Sequence, residues 1–170
     1  MFIRENRNSV AILTGDESEE DLIGLGKDIF TYFGLGCRNV SKFYVPEGYN
    51  FDKFFNAMYA YKELINNPKY INNYDYNKAV FLMSNFLLLD NGFLVLKQDS
   101  GYSSPISSVF YEHYTDLEAL KQRLKQDEEH IQCIVGNVGI KNQVGFGQTQ
   151  HPGLSDYADG IDTVLFLNQI

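Results

Sequence analysis

Val10-Ala11-Ile12-Leu13 is a continuous apolar run closed by the turn formers Thr14-Gly15-Asp16, and a run this short is a buried strand rather than a helix. The same reading covers Lys42 to Val45, closed by Pro46 and Gly48, and the runs Ser107 to Tyr114, Ile131 to Val135 and Thr163 to Leu167. Leu87 to Leu89 and Phe93 to Leu96 straddle Asp90-Asn91-Gly92, a turn sequence that closes a hairpin. Between the runs the hydrophobic period becomes helical. Ser18-Glu19-Glu20-Asp21 opens a helix, with Ser18 placed to cap it and acids favoured in the first turn. Leu22, Leu25, Ile29, Tyr32 and Phe33 follow at helical spacing, and Gly34-Leu35-Gly36 ends the element. Further helices are expected over Phe51 to Ile65, capped by Asn50 and ended by Asn66-Asn67-Pro68, from Asn73 or Tyr74 to Asn85, and over Asp116 to Glu129. Strands alternating with helices imply a single α/β domain over residues 1–170, a three-layer, largely parallel sheet flanked by helices.

Composition narrows the function classes. With 14 basic against 22 acidic residues the net charge is −8, the opposite of the clustered basic surface that nucleic acid or an anionic membrane demands. The apolar stretch around Phe86 to Leu89 is interrupted at Asp90, far short of the ~20 residues of a membrane span. Two cysteines cannot form a disulfide framework and no basic-then-apolar leader is visible, so cytoplasm is the expected compartment. His113 and His130 are too scattered to suggest zinc, and no metal is expected. Gly24-Leu25-Gly26 and Gly136-Asn137-Val138-Gly139 lack a full phosphate fingerprint and read as helix packing and turns.

Cys37 stands between the glycine-rich helix terminus and the next strand. Glycines there remove bulk and bring main-chain N–H groups close to whatever binds the sulfur, and Arg38 adds a charge that favours the thiolate. These residues leave two readings open, a nucleophile or a small buried hydrophobe at a loop. Cys133, inside Ile131 to Val135, reads as strand core. The aromatic helix with Phe54, Phe55, Tyr59 and Tyr61 reads as a core face, one or two of its residues at the wall of an acyl channel being the alternative.

The stretch from Asp28 through Gly34-Leu35-Gly36-Cys37-Arg38-Asn39 to Pro46 resembles the nucleophile segment of the aldehyde dehydrogenase superfamily. Ser103-Ser104-Pro105-Ile106 sits where that superfamily has a Gly-Pro turn before a strand, and Gly145-Phe146-Gly147-Gln148-Thr149-Gln150 where it has a Phe-Gly-Gly turn. Asn72 to Ala79, Asp90-Asn91-Gly92-Phe93 and Asp156 to Thr163 look more specifically like the acyl-CoA reductases of the LuxC-type fatty acid reductase family.

The resemblance implies that Cys37 attacks the thioester of an acyl-CoA, that CoA leaves, and that NADPH reduces the acyl-enzyme to an aldehyde. It implies that the Cys37 N–H helps hold the oxyanion. It also implies that this chain is the C-terminal catalytic half of a longer reductase, with NADPH bound mainly by a nucleotide-binding half that precedes it. Acylation without reduction is then expected of the chain by itself. Three further candidates surround Cys37: Asn39 beside it, Glu5 near the position of a water-activating glutamate, and His151 as an acid for the aldehyde oxygen. Surface positions are the alternative for Glu5 and His151. The family's ribose-holding glutamate is replaced by Gly101, with Asp99 two residues earlier. Superfamily members pair through sheet edges, which makes a homo-oligomer an expectation here. The rival functions are a CoA-acylating aldehyde dehydrogenase and a non-catalytic α/β interaction module.

Overall fold

The computed structural model describes residues 6–141, 143–154, 156–157 and 162–168. Its strands are β1 (Asn8–Ile12), β2 (Val40–Pro46), β3 (Leu88–Asp90), β4 (Val95–Gln98), β5 (Ser108–Tyr114) and β6 (Ile131–Val135). They form one sheet in the order β3-β4-β5-β2-β1-β6. Every pairing is parallel except that of β3 with β4. The helices are α1 (Glu19–Phe30), α2 (Asp52–Met58), α3 (Pro68–Met83), α4 (Leu117–Gln126) and α5 (Thr163–Leu167). The chain is therefore an α/β protein with a mostly parallel sheet between helices, as the alternating pattern predicts. None of the described helices is long and apolar enough to cross a membrane.

The unbroken apolar run of β1 has a direct cause in this arrangement. Ala11 and Leu13 join Phe43 and Val45 in one core, against Leu22, Leu25 and Ile29 of α1 and Phe54 and Met58 of α2. Val10 and Ile12 join Tyr44 in a second core beneath Leu120 and Leu124 of α4. A central parallel strand covered on both faces has no solvent side on which to place polar residues. The capping box at the start of α1 forms as expected, Ser18 Oγ accepting from the Asp21 N–H while Asp21 answers the Ser18 N–H. Gly24 and Gly26 serve packing: a Cβ on Gly24 would lie 3.0 Å from the Phe146 carbonyl carbon, and one on Gly26 would lie 2.2 Å from the Tyr61 ring.

Four elements depart from the sequence expectation. The aromatic helix is α-helical only through Met58 and continues as a tighter 3-10 segment over Tyr59–Asn66. Asn50 does accept from the Asp52 N–H at 2.7 Å, one residue before the cap position. Asn67 and Pro68 start a helix as well as ending one. Asn67 Oδ1 accepts from Lys69 and Tyr70, and Pro68 occupies the first helical turn, where its missing N–H costs nothing. In the hairpin, Asp90 and Asn91 side chains bond the N–H groups of Gly92, Phe93 and Leu94, so β4 begins only at Val95. Thr163–Leu167 is a helix, not a last strand. Asp162 caps it by accepting from the Leu165 N–H, and an apolar run of this length does not by itself distinguish the two states.

The second face of the sheet also buries charge. Lys42 on β2 has no exposed side-chain surface. Its Nζ donates to the Ser100 carbonyl at 2.7 Å and to Glu112 Oε2 of β5 at 2.8 Å, and lies 5.0 and 5.2 Å from the ring centres of Tyr44 and Tyr102. Arg123 of α4 grips the same carboxylate with both terminal nitrogens. Burial pushes the Glu112 carboxyl up, but the Arg123 and Lys42 donors outweigh it and hold the group below its ordinary 4.5. Burial draws Lys42 below its ordinary 10.5 even with Glu112 beside it.

Candidate functional site

Helix α1 delivers the chain to Cys37 through an unusual turn. After Phe30 the backbone passes through three left-handed residues, Tyr32 at φ 54°, Phe33 at φ 58° and Gly34 at φ 77°. Two of them are bulky aromatics in a region that disfavours side chains. Asn39 closes this turn. Its Nδ2 donates to the carbonyls of Asp28, Ile29 and Thr31, at 2.9, 3.3 and 2.8 Å, at the end of α1. Its Oδ1 accepts the Gly36 N–H at 2.9 Å. Residue 36 must be glycine for this, because a Cβ there would lie 2.9 Å from that same oxygen. Asn39 is buried, so the role its side chain holds is to fix the loop carrying Cys37.

The Asn39 N–H bonds the Gly36 carbonyl at 2.9 Å, which makes Cys37 and Arg38 the central residues of a tight turn. Their own N–H groups have no main-chain partner among the described residues. The Cys37 carbonyl accepts from Ser9 Oγ on β1 at 2.9 Å. Cys37 itself is exposed and free. It lines a cleft of ≈ 520 Å³ together with Asn6 to Asn8, the Gly34–Gly36 turn, Ser41 and residues 103–106. The two segments singled out in the sequence, around Cys37 and at Ser103-Ser104-Pro105-Ile106, thus face one space. Three bonds hold the far wall: Ser41 Oγ to the Tyr102 carbonyl at 2.6 Å, Ser104 Oγ to the Ser108 carbonyl at 2.7 Å, and Asn77 Nδ2 of α3 to the Ile106 carbonyl at 2.9 Å.

Asn39 also lines this cleft, whereas Arg38 and His151 do not. Arg38 Nε donates to the Thr149 carbonyl, which ties the Cys37 loop to the 145–150 turn. That turn is anchored by Asp28, buried at the end of α1, whose carboxylate accepts from the N–H groups of Gly147 and Thr149 and from Thr149 Oγ1. Burial nevertheless pushes the Asp28 carboxyl above its ordinary value. His151 is exposed, its Nε2 3.1 Å from Lys27 Nζ, and is not among the residues lining the cleft. Glu5 lies outside the described residues. Cys133 is buried in β6, and burial pushes its thiol up. Phe54 packs edge-on against Phe43, while Tyr59 is exposed; neither they nor Phe55 and Tyr61 line the cleft.

Sequence reasoning did not find Ser9, Asn77 or Asp28. Only Asp28 left a signal, as an acid next to Ile29 on the apolar side of α1.

The cleft lies at the amino ends of β1, β2 and β5, whereas open α/β sheets usually hold ligands at the carboxyl ends. At the carboxyl ends a second cleft of ≈ 340 Å³ is lined by Thr14, Gly15, Glu17, Glu47 and Lys53 among others. Its strand-to-helix loop is where a dinucleotide pyrophosphate would be expected to bind. The Glu17 carboxylate already accepts the N–H groups of Thr14 and Gly15 and the Thr14 hydroxyl. An acid in that place repels phosphate, so this loop does not fit a pyrophosphate. Asp99, two residues before Gly101, is engaged by Lys97 at 2.6 Å and by the Gly101 N–H at 2.8 Å. No protein-family model matches this sequence, and no curated protein matches it either.

Proposed function

We propose that this chain forms a covalent acyl-enzyme on Cys37, as the catalytic domain of an NADPH-dependent fatty acyl-CoA reductase of the aldehyde dehydrogenase superfamily. The observation that carries the reading is an exposed thiol on the wall of a ≈ 520 Å³ cleft, in a turn whose central N–H groups have no main-chain partner. The resemblance of Asn72 to Ala79, Asp90 to Phe93 and Asp156 to Thr163, together with Gly34 to Asn39, to LuxC-type acyl-CoA reductases supplies the substrate class.

In this reaction the Cys37 thiolate attacks the thioester carbonyl. A carbon–sulfur bond to the enzyme forms, the carbon–sulfur bond to CoA breaks, and CoA leaves as a thiolate that takes up the proton Cys37 gave away. The Cys37 N–H donates to the carbonyl oxygen as it becomes an oxyanion, and a donor so placed contributes about 3 kcal/mol to such a step. Hydride delivery from NADPH completes the reduction in an enzyme of this kind. The residues of this chain carry the proposal only as far as the acyl-enzyme.

Intact-mass spectrometry after incubation with a long-chain acyl-CoA tests it. One acyl group should add to the wild type and to Cys133→Ser, and none to Cys37→Ser. An unmodified wild type, or an adduct that follows Cys133, leaves the non-catalytic α/β module as the better account.

A further inference from the structure

Backbone strain in this molecule gathers around the Cys37 cleft. Among the described residues, four that are not glycine have a left-handed backbone: Tyr32, Phe33, Asn85 and Ser107. Tyr32 and Phe33 lead straight into the Gly34–Cys37 wall, and Ser107, at φ 61°, directly follows the 103–106 wall. Such a conformation is costly for a residue with a side chain, and it persists where the surroundings impose a particular presentation of the neighbouring residues.

What the two strained turns present is apolar. Apart from Cys37, the apolar residues lining the cleft are Leu35 on one wall and Pro105 and Ile106 on the other; the rest are glycines, asparagines, serines and Arg7. Leu35 is 69% exposed and takes no part in the core. Its N–H bonds the Tyr32 carbonyl at 3.2 Å, which folds the turn back on itself. Ile106 is held from behind, half-buried against the core and with its carbonyl bonded by Asn77.

We propose that Leu35 and Ile106 form an apolar collar that grips the alkyl chain of a group carried on Cys37, which makes Leu35 a specificity-determining residue for chain length. The inference deepens the acyl-enzyme reading and rests on it. A chain bonded to the sulfur leaves it through this cleft, and Leu35, two residues away, has its Cα within about 7 Å of that of Cys37. The carbonyl end of the group needs donors, which the turn supplies through its unpartnered N–H groups. The methylenes beyond it need apolar surface, and the collar is the apolar surface that the cleft lining offers. Each methylene taken out of water there is expected to raise the rate about fourfold. The aromatic helix does not serve this purpose, since none of Phe54, Phe55, Tyr59 and Tyr61 lines the cleft.

Rates of Cys37 acylation by acetyl-CoA and by octanoyl-CoA, followed by intact-mass spectrometry, test the collar. Wild type should favour octanoyl at least tenfold. Leu35→Ser should lower the octanoyl rate at least tenfold and leave the acetyl rate within twofold, while Leu154→Ser, at an exposed leucine outside the cleft, should change neither. N-methylmaleimide and N-octylmaleimide alkylate a thiol without any acyl transfer, so they read the collar independently. Their rate ratio at Cys37, taken relative to the same ratio for glutathione, should favour the octyl reagent in wild type and lose that preference in Leu35→Ser. A maleimide ratio near one in wild type, or one unchanged in Leu35→Ser, overturns the collar whether or not acylation occurs. No acylation by either thioester, with the maleimide ratios as expected, overturns the acyl-enzyme reading and leaves the collar in place.

Discussion

Glu112→Ala is expected to destabilise the fold by about 3–5 kcal/mol at neutral pH, the usual cost of removing one partner from a buried ion pair. The cost comes from Lys42, not from the lost contact with Arg123. Lys42 has no exposed side-chain surface, and without the carboxylate its ammonium keeps only the Ser100 carbonyl and the faces of Tyr44 and Tyr102. Arg123 is half-exposed and returns to water. The pH dependence separates this cause from simple loss of packing. Burial already draws Lys42 below 10.5, and removing Glu112 draws it further. The native state then binds fewer protons than the unfolded one, so the variant's deficit should shrink as pH rises toward 10.5.

The acid side has the opposite sign. Glu112 is held below 4.5 in the folded state, so its contribution is complete above that value and fades as pH falls through the folded one. Glu112→Gln should therefore show a shallower acid limb than wild type. Urea titrations followed by circular dichroism from about pH 2 to about pH 10.5 measure both limbs. A Glu112→Ala variant within about 0.5 kcal/mol of wild type, the size of an ordinary surface change, would show that Lys42 finds water or another partner. The double variant Lys42→Met/Glu112→Leu should recover most of the loss, because apolar residues of similar volume replace a buried pair at little net cost.

The parts of the molecule legible in its sequence are those where one residue's neighbours in the chain decide its state. Val10 to Leu13 reads as a two-sided strand because both faces of β1 are covered, and Ser18 with Asp21 closes a capping box within one turn. Asn67-Pro68 misled because the same pair that ends one element also caps the next. Thr163–Leu167 misled because strand identity depends on a partner that five residues cannot announce. The cysteine loop was visible as glycines around a thiol. Its support was not, because the contacts that form it join residues far apart in the chain: Ser9 with Cys37, Asn77 with Ile106, and Asp28 with the 145–150 turn. Lys42 and Glu112 were invisible as a pair for the same reason, each lying in a run that reads as buried strand.

Asn39→Ala should separate the reactivity of the Cys37 thiol from its placement. The substitution leaves the Asp28, Ile29 and Thr31 carbonyls and the Gly36 N–H without the one side chain that serves all four. Buried groups left unsatisfied cost about 1–3 kcal/mol each when no water reaches them, and partial rescue by solvent at this loop sets the expected loss at about 3 kcal/mol. Left-handed Tyr32 and Phe33 add strain that only a firm turn maintains. The segment should relax, and Cys37 should leave the position in which its N–H meets the oxyanion. A thiol that has moved is still a thiol. Iodoacetamide alkylation of Cys37 should continue at a rate near wild type, while transfer from a long-chain acyl-CoA falls at least tenfold, a change of about 1.4 kcal/mol in the barrier. Asn39→Asp should not restore transfer: its oxygen can still accept from Gly36, but it places a carboxylate against three carbonyls. Equal slowing of alkylation and acylation in a folded Asn39→Ala variant would mean that the clamp governs only access to the sulfur. An unchanged acylation rate would mean that Cys37 does not depend on the clamp at all.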